Sequence, residues 1–218
     1  MDYLLQVRKN VLEAIQLTPA VQGVLSGEPN PVVYGRYLTN VWHYAQHSSI
    51  VIGHAAARCV PDNPKLADYL FHHAREELGH DVWALQDMEA LGMNIDDVRK
   101  SRPVPSCAAM VGFEYFTASH ANPVGLFGWL YVLEAMGDDL GQVVSERIAQ
   151  GLKLPDGVKF LKGHGEADVA HTKDLTEQIQ TNIDSQDIDD VYHVADVMAD
   201  LYVRIFREIG EEPTGVLA

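Results

Sequence analysis

Histidine and carboxylate side chains recur at helical spacing in three stretches of this chain, and those residue types bind transition-metal ions. The first stretch, HHAREELGHDVW, places Glu77 three residues, Glu76 four residues and His73 seven residues before His80. On a helix these offsets share one face, so an imidazole nitrogen and a carboxylate oxygen one turn apart can reach a single ion in a bundle core. A lone Glu-x-x-His is more often a solvated charged face, so this stretch carries weight only beside others. The second, PVGLFGWLYVLEAMG, holds Glu134 after eleven uncharged residues. A carboxylate in such a helix must face solvent at the edge of the apolar stripe, pair with a cationic side chain, stay protonated or bind a metal ion. The third, KGHGEADVAHTKD, sets His164, Asp168 and His171 at i, i+4 and i+7 on one face, while Glu166, Lys173 and Asp174 mark the wet side of the same helix.

Together Glu77, Glu134 and Asp168 supply three carboxylates, and His80, His164 and His171 three imidazoles. Mixed oxygen and nitrogen ligation suits iron or manganese, and there is no thiolate cluster of the kind that holds structural zinc. Six ligands give about three to each of two ions, which leaves positions open for dioxygen, water and substrate and points to reactivity rather than storage. A further stripe, His43, His47 and His54 beside Trp42 and Tyr44, is either hydrogen-bonded core or the wall of a cavity.

Helices must position these groups. Apolar residues recur at three-to-four spacing over residues 2–17 and stop at Thr18-Pro19. A long helix spans 32–59, and a third runs unbroken from the Asn63-Pro64 cap to Leu91-Gly92. A short piece led by Asn94 is followed by helices over 106–120, 123–150, 157–182 and 186–210. Gly125, Gly128, Gly137 and Gly141 in the long 123–150 helix permit close helix packing or a local kink. No alternating run justifies a strand, and no repeat or linker divides the chain, so one domain over residues 1–218 is expected.

The 31 acidic against 16 basic residues give a net charge of -15, which disfavours nucleic acid and anionic membranes as partners. Cys59 and Cys107 lack metal-type or redox-type spacing, and no run approaches a membrane span, so a reducing cytoplasm is the expected location.

GRYLTNVWHYAQHS, EELGHDVWALQDMEALG, LYVLEAMG and HGEADVAHTKDL resemble four helices of the haem-oxygenase-like di-metal oxidase and oxygenase superfamily. Its members share a fold with thiaminase-like and pyrroloquinoline-quinone-synthase-like proteins. The resemblance covers most of the chain, and its most specific motif is His-x3-Asp-x2-His. It implies an all-α, compact, haem-oxygenase-like bundle of about seven to eight helices. It also implies Glu77, His80, Glu134, His164, Asp168 and His171 as metal ligands. Several members carry a glutamate seven residues before the histidine of the first ligand helix, where this chain has His73 with Glu76 and Glu77 close by. Either Glu77 takes that role or His73 makes the site richer in nitrogen.

The implied cofactor is a pair of iron ions, with manganese as the alternative. The implied activity is dioxygen activation for oxidation or cleavage of a small molecule such as an amino acid, amine or fatty acid. An electron donor and a homodimer follow as expected partners. Trp42, His43, His47 and Tyr131 are expected around the ligands or the substrate, with Tyr44, Phe113, Tyr115, Phe116 and Trp129 as further cavity candidates. Two rivals keep a helical fold. A metal-free enzyme would need a nucleophile such as Cys107, and a ferritin-like iron carrier would draw Glu13 into the ligand set and leave His164 unused.

Overall fold

Asparagine followed by proline sets several helix starts. The Asn30 side chain accepts hydrogen bonds from the amides of Val32 at 2.9 Å and Val33 at 3.4 Å, Asn63 from Leu66 at 3.2 Å, and Asn122 from Val124 at 3.1 Å. In each case proline follows, with its φ preset for a helix and no amide to leave unpaired. The computed structural model describes residues 1–211, so residues 212–218 of the expected domain lie outside the described residues. Ten α-helices and one 3-10 turn make up the described residues, with no strand among them. They are α1 (Asp2–Gln16), α2 (Pro19–Leu25), α3 (Pro31–Cys59), α4 (Pro64–Glu76), α5 (His80–Ala90), α6 (Ile95–Lys100), α7 (Pro105–Ser119), α8 (Leu126–Gly151), α9 (Lys159–Asn182) and α10 (Ile188–Gly210). The 3-10 turn, Pro123–Gly125, leads into α8.

Two elements exceed the eight read from periodicity. Thr18-Pro19 ends α1 as expected, but Pro19 also opens α2 at its first helical position. The helix expected from Asn63 to Leu91 is interrupted. Gly79 adopts φ 95, a left-handed conformation that splits it into α4 and α5 between the first candidate ligands.

α8 lies at the centre and packs against α1, α2, α7, α9 and α10. Its N-terminal half is buried on nearly every side, from Leu126 to Val132 and again from Glu134 to Met136. Where α8 crosses α9, Gly141 meets Gly165 so closely that a Cβ on Gly141 would sit 2.7 Å from the Gly165 Cα. The small residues let the two ligand-bearing backbones approach. The start of α9 is held from another helix, since its own preceding residue, Val158, offers no side-chain cap. The fully buried Asp87 of α5 accepts from the amides of Lys159 and Phe160 at 2.8 Å each. This carboxylate satisfies two otherwise free donors and complements the helix dipole. It also ties the helix bearing His80 to the helix bearing His164.

Candidate metal centre

Glu77 is where two sets of donors meet. His73, Glu77 and His171 bring one donor atom each within 4.8 Å of one another, and Glu77, His80 and His164 do the same. The α4–α5 break makes this possible: Glu77 closes α4, Gly79 turns the chain, and His80 opens α5 with its Nδ1 3.2 Å from Glu77 Oε1. His164 arrives from α9 with its ring 4.7 Å from that of His80. Its Nδ1 lies 2.9 Å from the Phe160 carbonyl, which can only accept, so Nδ1 carries the proton and Nε2 keeps a free lone pair. Trp83 stacks on His80 at 4.2 Å and Phe160 packs at a tilt against His164 at 4.1 Å, so both rings are held by an aromatic neighbour.

Two more carboxylates border these groups. Glu134 of α8 places Oε1 2.9 Å from His73 Nε2, and Asp168 places Oδ1 3.6 Å from His171 Nδ1. Neither Glu134 oxygen receives an aligned hydrogen bond, and the Nδ1 atoms of His80 and His171 are likewise buried without one. Orphaned buried acceptors carry a full desolvation penalty. A cation placed among them would remove it, so the donor set fits a metal. Asp168 lies directly against Gly137, where any Cβ would overlap its Oδ2.

The electrostatics are those of a coupled imidazole–carboxylate cluster. Burial would push Glu77 up, but His80, His164 and His73 outweigh it and hold its pKa at about 2. Contact with Asp168 raises His171 to about 9 against the pull of burial. Burial opposes the charged form of His73 as well, yet Glu134 and Glu77 keep its pKa above the ordinary value. Asp168 is raised, chiefly by burial.

Known proteins of this shape include a domain of unknown function with a heme oxygenase-like fold from Shewanella denitrificans. It shares 26% identity and superposes with a TM-score of 0.85 over 94% of this chain and 89% of that one. A TenA homologue from Pseudomonas syringae pathovar tomato (18% identity, TM-score 0.79, 95% and 90% covered) and one from P. horikoshii (14%, 0.78, 96% and 98%) share the fold. No curated protein matches the chain. The family model described as "Iron-containing redox enzyme" (Haem_oxygenas_2) matches residues 35–203. The chain belongs to this family. The haem-oxygenase-like, all-α architecture implied by the sequence motifs is therefore the one found.

In this iron-containing redox enzyme family member the cluster forms part of the wall of a cavity of about 130 Å³. His73, Glu77, Glu134, His164 and Asp168 line it, and the remainder is mostly apolar, with no lysine or arginine among the lining residues. α8 contributes Leu130, Glu134, Gly137 and Gly141, a stripe at three-to-four spacing. Tyr131 is one position off that stripe. It is buried near Arg8 instead, so it does not border the cavity as expected.

The histidine stripe of α3 takes the hydrogen-bonded form, one of the two readings the sequence left open, and is not among the residues lining the cavity. His43 Nε2 lies 2.9 Å from Ser101 Oγ, His47 Nδ1 3.1 Å from the Tyr115 hydroxyl and His54 Nδ1 3.2 Å from Ser119 Oγ. Trp42 packs beside His43 at 4.8 Å. That face meets α7 and the segment before it, and the cavity face of α3 carries Tyr37, Tyr44 and Ser48. Of the other expected aromatics Tyr44 and Trp129 line the cavity, whereas Phe113, Tyr115 and Phe116 do not.

His73, placed at the margin of the candidate set by sequence, is 2% exposed and inside the cluster. Glu76 stands outside both three-residue groups. The fold shared with the TenA homologues is compatible with the metal-free rival, but the nucleophile named for it stands apart from the cluster. Cys107 does not line the cavity; its buried thiol is raised to about 12 and faces the Asn40 carbonyl at 3.6 Å. Glu13 pairs with Lys9 on the exposed side of α1, and His164 is inside the cluster rather than left over.

Proposed function

We propose that this protein is a non-haem oxidoreductase that holds two iron ions at the Glu77-centred site and uses dioxygen to oxidise or cleave a small molecule. The observation that carries the reading is the pair of adjacent three-donor groups with Glu77 common to both. His73, Glu77 and His171 would hold one ion and Glu77, His80 and His164 the other, with Glu134 beside His73 and Asp168 beside His171 as further carboxylate donors. Manganese fits the same oxygen and nitrogen donors and is the alternative occupant of one position. Two ferrous ions held there would supply electrons to dioxygen. The chain's own work is to keep His164 in one tautomer through the Phe160 carbonyl, to hold His80 and His164 against aromatic neighbours, and to exclude water behind apolar walls.

The cavity narrows the substrate classes. With no lysine or arginine in its lining, a charged group far from the metals would be buried without a partner, at a cost of several kcal/mol. A fatty acid, an alkyl amine or an apolar amino acid with its charged end at the cluster and its apolar body in the cavity fits this lining. Its apolar body is short, because the cavity is close to the ~150 Å³ void that admits benzene. Iron-loaded protein in an oxygen electrode is expected to take up dioxygen faster with short alkyl carboxylates or alkylamines, and the His171→Ala variant is expected not to. Equal uptake with and without every such compound would sink the reading.

A further inference from the structure

The metal groups are buried, yet a hydrated cation has to reach them. Moving a divalent ion along the cavity would strip its water against apolar walls that return nothing. A graded series of donor atoms approaches the cluster from another direction, along α4. The His72 side chain is 66% exposed, and its Nε2 lies 3.3 Å from Oε1 of Glu76, which is 40% exposed. The other oxygen of Glu76 lies 3.7 Å from His171 Nε2 and 4.0 Å from His73 Nδ1, side chains only 16% and 3% exposed.

Glu76 thus turns one oxygen toward a solvent-facing imidazole and the other toward two imidazoles of the cluster. It belongs to neither three-donor group and does not line the cavity. Among the described residues its charge contacts are all to histidines, so no lysine or arginine neutralises it. Asp174 of α9 acts with Glu76 and Glu134 on half-buried Tyr69, whose ring stacks on His73 at 5.9 Å, so further negative charge borders this approach.

We propose that His72 and Glu76 are the entry port for the metal, a transient divalent-cation site distinct from the two resident positions. The cation exchanges water for His72 Nε2 and Glu76 Oε1, then passes by ligand substitution to His171 and His73 without being left bare in the interior. This rests on the proposed metal centre. The role is kinetic: a port changes loading and release rates and leaves the final occupancy alone.

The test mixes metal-free protein anaerobically with ferrous iron, quenches aliquots with a chelator and counts the iron retained. Native protein and the His72→Ala/Glu76→Gln variant should reach the same final iron per chain. The variant should load roughly 10-fold more slowly or worse, the lower end of what local charge contributes to association. Release to excess chelator should slow by the same factor. Glu76→Lys, which puts a like charge in the path, should slow loading further with circular dichroism unchanged. Variant loading as fast as native overturns the port alone. Lower final iron in the double variant, on a folded chain, makes Glu76 a resident ligand and overturns it too. A native chain that takes up no iron overturns the metal centre together with the port.

Discussion

Glu114 on α7 is fully buried, and neither of its oxygens has a hydrogen-bond partner. Burial holds its carboxyl in the protonated form well above the ordinary range. Unfolding at neutral pH must therefore release a proton, and the stability of the fold falls as pH rises above the unfolded value of 4.5. Glu114→Leu is expected to stabilise the protein by roughly 1–3 kcal/mol at pH 7 to 8, since it removes an unpaired polar group at similar volume. It should also flatten the pH dependence of denaturant midpoints. A destabilised variant would mean that Glu114 has a partner the fold depends on.

His171 and Glu77 act in opposite windows in the metal-free chain. His171, raised to about 9 from 6.5, adds stability that is complete below 6.5 and lost as pH climbs through 9. Glu77, lowered to about 2 from 4.5, adds stability present above 4.5 and lost as pH falls through 2. Because a ligand must shed its proton to bind a cation, the rise in melting temperature on adding ferrous iron is expected to grow between pH 6.5 and 9. Calorimetry of metal-free and loaded protein across that range checks it, and a constant increment contradicts it.

At the level of elements, the α5–α9 tie is the contact most exposed to test. Asp87→Ala leaves the amides of Lys159 and Phe160 without an acceptor and is expected to cost about 1–3 kcal/mol, with loss of metal affinity as His164 loses its placement. Denaturant melts with metal titrations measure both, and a variant with native stability and affinity would show that α9 needs no outside cap. That tie could not be read from the chain, because Asp87 and Lys159 are 72 residues apart and nothing local marks the pairing.

What periodicity did reveal was the stripe of α9, where His164, Asp168 and His171 project together because one uninterrupted helix carries them. It missed the break at Gly79, since apolar spacing continues on both sides of EELGHD and an interior glycine is tolerated in a helix. The break is what lets Glu77 serve two groups. On α3 the choice between core and cavity wall stayed open, because this helix is buried against several neighbours and its apolar pattern does not single out the cavity side.

For the whole molecule, the shared fold with a TM-score of 0.85 fixes the architecture, and the family match places the chain among proteins described as iron-containing redox enzymes. Among the described residues no helix is long and apolar enough to cross a membrane. The imidazole–carboxylate cluster borders an apolar cavity, and the proposed activity requires two ions that share Glu77 there. The direct measurement is iron per chain after anaerobic reconstitution of the native protein, His80→Ala and Glu77→Ala, with folding verified by circular dichroism. Two irons in the native chain, about one when the His80 position is emptied and fewer than one when the shared carboxylate is removed are the predicted results. Two irons retained without Glu77, or none in the native chain, would contradict a centre built on a shared carboxylate.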